Sequence, residues 1–257
     1  MYLNYIKYSK STYKFMIINI ISVIFNDAAN IDSTIQSVLQ QKQKRLDLKI
    51  NYFVVDGGSH DGTLEILVKY DSNIDEWISE KDLGIYDAMN KALRMVNDGY
   101  ILYLGAGDKI ISLPTIQLLN SSVKAICGDV FTNENFVFKS NTSKGLRLGN
   151  SLHHQALLVH KSIFPNKAFN IEYKAYADYD LNIRLLKDGI NFVYSTDLSA
   201  YQMPGGLTKS IYMSEMIEVV KCNFGLPSAT LMMLYLLFAQ VRDILINGKN
   251  NYTWERP

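Results

Sequence analysis

The sequence predicts an α/β fold in which a mostly parallel sheet is flanked by helices. Apolar runs of strand length stand at 15–25, 52–55 and 100–104. These runs are nearly continuous, which is typical of strands buried on both faces of a parallel sheet. Stretches with apolar residues at helical spacing separate them, and such alternation of strand and helix indicates βαβ units.

The elements of the first half follow in a regular order. Asn26-Asp27 breaks the first strand, and a helix is expected to begin near Asn30, a good cap residue. Lys42–Lys49 is expected to be a charged loop. The elements predicted after it are a strand over 52–55, a helix over 63–70 capped by Ser59 or Asp61, a short strand over 76–79, a helix over 85–96 and a strand over 100–104.

The regular alternation ends after Asp108, which predicts a mixed second half and a helical tail. The elements expected there are a helix opened by Pro114, short strands over 123–127, 136–138, 155–159 and 191–194, and a helix over 178–187 that ends at Gly189. The tail over 210–246 is predicted to be mainly helical, with one apolar face formed by Ala229, Met232, Met233, Leu236 and Leu237. These patterns predict a large domain over 1–209, with halves at about 14–108 and 109–209, and a helical extension over 210–257.

Composition narrows the class of protein. The 257 residues are 48% hydrophobic and 20% charged, which is ordinary for a globular protein. A net charge of +1 gives no electrostatic bias, so no nucleic-acid partner is expected. Cys127 and Cys222 fit neither a metal-ligand spacing nor a disulfide framework, so a reduced, cytoplasmic setting is expected.

No membrane span is predicted from the sequence. The first ten residues lack the continuous apolar core of a signal peptide, so no secretion signal is expected. The longest apolar run, Ala229–Ala239, has eleven residues, whereas a span takes about 20. Lys7, Lys10 and Lys14 lie among tyrosines, and with the apolar tail they leave open a peripheral contact with the inner face of the cytoplasmic membrane. Surface charge and core packing explain both features more simply.

Two carboxylates follow two of the predicted strands. Asp56 ends the strand over 52–55 and is followed by Gly57-Gly58, and Asp108 follows Gly105-Ala106-Gly107 after the strand over 100–104. In open α/β sheets the carboxyl ends of the strands form the edge where ligands bind. A carboxylate there can accept a hydrogen bond from a nucleotide base or hold a hard cation. Taken alone, Asp56 is explained better as part of a turn and a helix cap, and Asp108 is either a metal ligand or a plain turn aspartate. Their pairing at the ends of neighbouring strands favours a ligand site.

Further polar residues lie in segments expected at or near the same edge. Lys81, Asp82 and Asn90 flank Gly84 in a strand-to-helix loop, where Lys81 contacts phosphate or belongs to a solvated charge pair. Asp178 and Asp180 open a predicted helix, so each is either a general base or a partner of the helix dipole. The other candidates are His154 and Gln155 for an acceptor pocket, with His154 also near the metal, and Gly205-Gly206 for a lid or an ordinary connection.

The ordered combination of three segments resembles the family 2 inverting glycosyltransferases of the Rossmann-like GT-A fold. The segments are Asp56-Gly-Gly-Ser-His-Asp-Gly-Thr63, Ser79-Glu-Lys-Asp-Leu-Gly-Ile-Tyr-Asp-Ala-Met-Asn90 and Gly105-Ala-Gly-Asp108. The resemblance extends over about 14–206 and is strongest to bacterial enzymes of O-antigen, capsule and exopolysaccharide synthesis. Any one of the segments alone is a weak signal.

The resemblance implies roles for the candidate residues. It implies that Asp56 binds uracil, that Asp108 holds a Mn²⁺ or Mg²⁺ ion bridging the diphosphate, and that Asp178 is the catalytic base. The donor-binding residues implied are Val23, Phe25, Asn26, Gly57, Lys81, Asp82, Asn90, Ala106 and Gly107. Two departures stand out, since Ala177 replaces a glutamate usual before the base and the Gly105–Asp108 segment lacks the usual additional aspartates.

The resemblance implies a single-displacement transfer from a UDP-sugar to a saccharide, with a lipid-diphosphate-linked saccharide as the acceptor. Two other functions remain open. A sugar-nucleotide nucleotidyltransferase would also use a parallel sheet and a metal, but it should have a glycine-rich, basic loop after the first strand, whereas 25–30 has neither glycine nor a basic residue. A non-catalytic sugar-nucleotide-binding protein is compatible with the two departures.

Overall fold

The computed structural model describes residues 16–132, 136–142, 146, 148–204 and 213–247. The strands are β1 (Met16–Ile24), β2 (Leu48–Asp56), β3 (Glu76–Ser79), β4 (Tyr100–Leu104), β5 (Lys109–Ser112), β6 (Ala125–Phe131), β7 (Val137–Lys139), β8 (Leu157–His160) and β9 (Phe192–Tyr201). The α-helices are α1 (Ala28–Lys44), α2 (Thr63–Lys69), α3 (Ile85–Met95), α4 (Ile116–Leu119), α5 (Ala177–Lys187), α6 (Met213–Phe224) and α7 (Leu226–Asn247).

All nine described strands form one sheet. Its order is β3-β2-β1-β4-β8-β6-β9-β5, with β7 paired to β6. The first four strands along the chain pair in parallel, whereas β8 joins both β4 and β6 in antiparallel fashion. The predicted α/β fold, with a parallel first half and a mixed second half, is confirmed.

Helices cover both faces of the sheet. Successive residues of a strand point to opposite faces, so each strand packs against helices on both sides. In β1, Ile21 and Val23 pack towards the layer of α3, α5, α6 and α7, whereas Ile18, Ile20 and Ile24 pack towards α1 and α2. This double burial explains why β1 is apolar along almost its whole length.

Several predicted boundaries are wrong. The first helix begins at Ala28 rather than Asn30 and runs to Lys44, so the loop expected over Lys42–Lys49 does not exist as such. β2 begins at Leu48. Leu48 and Ile50 are buried while Lys49 between them is exposed, which is the alternation of a strand and not the pattern of a charged loop.

The second half departs more. β5 (Lys109–Ser112) was not predicted, and β9 has ten residues where four were expected, because the two strands pair with each other in antiparallel fashion. β6 extends beyond 127 through Gly128, where an added Cβ would lie 1.9 Å from the Leu198 carbonyl oxygen. Glycine therefore lets β9 approach β6, and the pairing register shifts at this point.

The tail forms a helical hairpin of α6 and α7. Gly225 alone joins them, at a φ of +81° that suits glycine. Ala229, Met232 and Leu236 are buried, but Met233 and Leu237 are 37% and 39% exposed, so the predicted five-residue apolar face divides between core and surface. In the described part of the chain, no helix has the length and apolarity of a membrane span.

Candidate active site

Asp56 and the loop before Asp108 meet at one edge of the sheet. Ile24 at the end of β1 pairs with Asp56, and Ser22 pairs with Leu104 at the end of β4. The two carboxylates therefore flank the end of β1 at the carboxyl edge. The prediction that neighbouring strands deliver the two carboxylates is wrong, because β1 lies between β2 and β4.

The Asp56 carboxylate is fully buried and is held by its own turn. Its Oδ2 atom accepts hydrogen bonds from Gly58 N at 3.0 Å, Ser59 N at 2.9 Å and Ser79 Oγ at 2.6 Å, and its Oδ1 atom accepts one from Ser59 Oγ. This arrangement fixes the turn after β2 and ties it to the end of β3. Its binding of a uracil base stays a prediction.

Gly57 brings two predicted donor residues together. A Cβ at this position would lie 2.5 Å from Asp82 Oδ2 and 3.3 Å from Phe25, so a larger residue would require the Asp82 side chain to move. Phe25 is 57% exposed, and Asp82 Oδ1 accepts a hydrogen bond from Gly84 N at 2.8 Å. An aromatic side chain and a carboxylate thus border the glycine turn, and their binding of a nucleotide stays a prediction.

The other residues predicted to bind the donor differ in exposure and in their hydrogen-bond partners. Val23 is 6% exposed and belongs to the core, so only its backbone is near the edge. Asn26 has a φ of +49°, and its side chain accepts a hydrogen bond from His60 N. Lys81 is exposed. The side-chain amide of Asn90 donates to the Phe169 carbonyl and accepts from Phe169 N. Asn90 therefore joins the two halves of the chain, and its donor-binding role stays a prediction.

Asp108 is 5% exposed and is held from three directions. Its carboxylate accepts hydrogen bonds from Gly105 N at 3.0 Å, Gln155 Nε2 at 3.1 Å and Met203 N at 2.9 Å. Burial raises the pKa of the Asp108 carboxyl, against the lowering effects of the nearby His154 charge and of these hydrogen bonds.

Thr34 of α1 anchors the loop that carries Ala106 and Gly107. Its buried hydroxyl donates to the Asp108 carbonyl at 2.8 Å and accepts from Gly107 N at 2.8 Å. A Cβ on Gly107 would meet Met203 at 2.8 Å. The loop is therefore packed between α1 and the end of β9.

Asp178 lies in the first turn of α5 and is buried. Its Oδ2 atom is 3.2 Å from His154 Nδ1, and its Oδ1 atom accepts from Tyr179 N at 2.7 Å. The Tyr86 hydroxyl lies 3.5 Å from Oδ1. Burial lowers the pKa of His154, but the hydrogen bond and charge of Asp178 and the charge of Asp108 outweigh burial and leave that pKa raised.

Two consecutive residues, His154 and Gln155, connect Asp178 to Asp108. His154 bonds Asp178 and Gln155 bonds Asp108, in the 3₁₀ turn before β8. Asp180 takes no part, because it pairs with Arg184 Nε at 2.8 Å and Asn223 Nδ2 at 2.7 Å. The predicted lid residues Gly205 and Gly206 lie outside the described residues.

Comparisons with known proteins agree with this geometry. Residues 19–110 match the family model "Glycosyl transferase family 2". A PGL/p-HBAD biosynthesis glycosyltransferase of Mycobacterium bovis is 25% identical over 248 residues, which is 87% of this chain and 89% of the relative. The prediction of a transferase enzyme is confirmed.

Solved structures show the same fold. TarS of S. aureus superposes with a TM-score of 0.63 at 16% identity over 91% of this chain, which spans only 46% of TarS. TarS 1–349 in complex with UDP-GlcNAc gives a TM-score of 0.62 at 15% identity, over 91% of this chain and 76% of that one. The mannosyltransferase PcManGT of Pyrobaculum calidifontis, in complex with GDP-Man and Mn²⁺, gives 0.56 at 14% identity, over 90% and 81%. The GT-A-like fold is confirmed.

The donor set near Asp108 fits a divalent cation. No group of three His, Cys, Asp or Glu side chains suited to a metal exists among the described residues, so His154 and Asp108 do not form a complete protein cage. Gln155 adds an oxygen, however, because its Oε1 atom is buried without a hydrogen-bond partner. Mg²⁺ and Mn²⁺ favour oxygen ligands, and Mg²⁺ is often held by one or two protein groups plus phosphate oxygens and water.

The segment that matches the family model contains Asp56, Asp82 and Asp108, whereas Asp178 lies beyond residue 110. Sequence reasoning missed the contact of the buried Thr34 hydroxyl with the Asp108 loop and the hydrogen bond from Ser79 to Asp56. A hydroxyl side chain has no distinctive sequence signal. A surface cavity of about 620 Å³ lies elsewhere, and Arg45, Asp47, Ser112 and Thr196 are among the residues that line it. It lies away from the carboxyl edge.

Proposed function

We propose that this protein is an inverting glycosyltransferase that transfers a hexose or N-acetylhexosamine from a UDP-sugar to a saccharide acceptor. The observation that carries the proposal is the His154-Gln155 pair, which links Asp178 to Asp108. A base for the acceptor and a carboxylate for the diphosphate side of the donor are thereby held at one site. The known complex of TarS 1–349 with UDP-GlcNAc supports a UDP-sugar donor.

In this mechanism, the Asp178 carboxylate takes the proton of the acceptor hydroxyl while that oxygen attacks the anomeric carbon. The bond from the anomeric carbon to the diphosphate oxygen breaks, and UDP leaves with the electron pair. A single displacement inverts the configuration at this carbon. His154 orients the base through its hydrogen bond, and a divalent cation, when bound at Asp108 and Gln155, neutralises diphosphate charge.

The test is transfer by the purified full chain from a panel of UDP-sugars, with GDP-mannose for comparison and Mn²⁺ added. Asp178→Asn should abolish transfer and leave UDP binding unchanged, because the carboxylate acts only on the acceptor. Asp188→Asn, at the exposed end of the same helix, is the matched control. The anomeric configuration of the product, read by NMR coupling constants, tests inversion. UDP binding without turnover across the panel would support a non-catalytic binding protein instead.

For the acceptor, we propose a lipid-diphosphate-linked saccharide of surface polysaccharide synthesis, such as O-antigen or capsule, reached from the inner face of the cytoplasmic membrane. The support is the outward face of α7, which has no charged residue between Leu226 and Gln240. Leu231, Leu234, Tyr235 and Phe238 are each 50–71% exposed on it. An apolar helical face of this kind, with an aromatic residue that has a polar tip, suits the interface of a bilayer.

Sedimentation with lipid vesicles tests the bilayer contact. Leu231→Ser combined with Phe238→Ser should reduce vesicle binding while donor hydrolysis persists. Met232 faces the core and is left unchanged, so that the hairpin stays packed. If the wild-type protein ignores vesicles and is instead a dimer that this double variant dissociates, the face binds a second copy and the bilayer contact is refuted.

A further inference from the structure

Glu215 of α6 is a buried carboxylate that the proposed mechanism does not use. It is 8% exposed, and it accepts hydrogen bonds from the backbone N–H groups of Lys174, Ala175 and Tyr176, each at 2.8 Å. A carboxylate that receives three backbone N–H groups is strongly held, because charge-assisted bonds are about twice as strong as neutral ones.

These three N–H groups directly precede the helix that carries the base. Tyr176 caps α5, and no side chain of its own segment satisfies the cap. Asp178 is the second residue of the helix, so the path of residues 174–176 sets the direction in which its side chain leaves the backbone. Ala177, between them, brings no polar group. The support for this path therefore comes from the C-terminal hairpin.

The surroundings of Tyr86 show that the two carboxylates share one neighbourhood. Its hydroxyl lies 3.5 Å from Asp178 Oδ1. Burial raises the pKa of Tyr86, and the negative charges of Asp178 and Glu215 raise it further.

We propose that Glu215 is a positioning residue for the catalytic base, so that the α6–α7 hairpin completes the active site. This inference rests on the proposed function, in which Asp178 removes the acceptor proton. Glu215 touches neither donor nor acceptor in this role. It holds the three N–H groups of residues 174–176. These residues lead into α5, so their position determines the position of the Asp178 carboxylate.

The test is Glu215→Gln, which preserves size but turns an NH₂ group towards backbone donors. The expected result is a fall in kcat of about 10- to 100-fold, because small misplacements of a catalytic group have effects of this size. The donor KM and the Kd for UDP should stay within about twofold. Glu218→Gln is the matched control, since Glu218 lies three residues further on the same helix, is exposed, and pairs with Lys221 at 2.9 Å. It should retain wild-type kcat.

Glu215→Asp keeps both acceptor oxygens and should recover part of the lost kcat. Wild-type kcat in Glu215→Gln, even with a lower melting temperature, would show that Glu215 serves stability alone and would overturn the proposal. Should Glu215→Gln not fold, the kcat of Glu215→Asp decides: a reduced kcat at unchanged donor KM supports positioning, and wild-type kcat refutes it. Failure of the proposed function is recognised separately, because the wild-type protein would then transfer no sugar or Asp178→Asn would retain activity.

Discussion

The Thr34 hydroxyl offers a direct test of how the Asp108 loop is held. Thr34→Val keeps the shape of the buried side chain and removes only its hydrogen-bonding capacity. The Asp108 carbonyl and the Gly107 N–H, each 2.8 Å from this hydroxyl, then lose a partner. A buried polar group left unsatisfied costs about 1–3 kcal/mol. With two such groups, the free energy of unfolding should fall by about 2–4 kcal/mol.

The assay is urea unfolding followed by fluorescence, together with the donor KM. Because the same loop carries Asp108, which we propose acts on the diphosphate side of the donor, the donor KM should rise as stability falls. Thr115→Val is the control, since Thr115 is exposed and its side chain makes no capping hydrogen bond. A loss below about 0.5 kcal/mol, as for an ordinary surface substitution, would refute the view that Thr34 holds the loop.

Three further predictions concern other parts of the site and the core. Gly57→Ala should raise the Kd for UDP, because the added Cβ would displace Asp82. Gly149→Ala is the control and should leave the Kd unchanged, because an added Cβ there would have nothing within 4 Å. Equal Kd values for the two variants would show that Gly57 does not shape the site. Gln155→Leu should reduce the enhancement of UDP binding by Mn²⁺ by about tenfold in calorimetric titrations, and an unchanged enhancement would remove Gln155 from the cation site. Burial raises the pKa of Cys127 to about 12, whereas Cys222 is exposed. At pH 8 a thiol reagent should therefore modify only Cys222 in the native protein and both cysteines in urea. Modification of both cysteines in the native protein would contradict this prediction.

The fold of the first half follows from the sequence because its signals are local. The strands ending at Ile24, Asp56 and Leu104 have segments buried on both faces, so each contains a nearly continuous apolar run. β5 has no such signal, since its burial alternates over four residues and its partners in β9 lie about 90 residues further along the chain. Pairings this distant depend on the whole sheet rather than on either segment.

The candidate site also contains residues that the sequence predicts and contacts that it does not. Asp56 and Asp108 were predicted as site residues because they follow buried strands at glycine turns, and Asp178 because it opens a helix and because of the resemblance. The role of Gln155 in holding Asp108 could not be read from the sequence, because contacts between residues 47 positions apart leave no periodic trace. Glu215 lies 41 residues after Lys174 and reads from the sequence as an ordinary helical glutamate.

The bonds from Glu215 to residues 174–176 have a consequence for how the protein is made. The sheet edge with Asp56 and Asp108 is synthesised before Glu215, the acceptor of those three N–H groups. On the proposed function, a nascent or proteolytically cut chain that ends before Glu215 would lack the residue that positions the base.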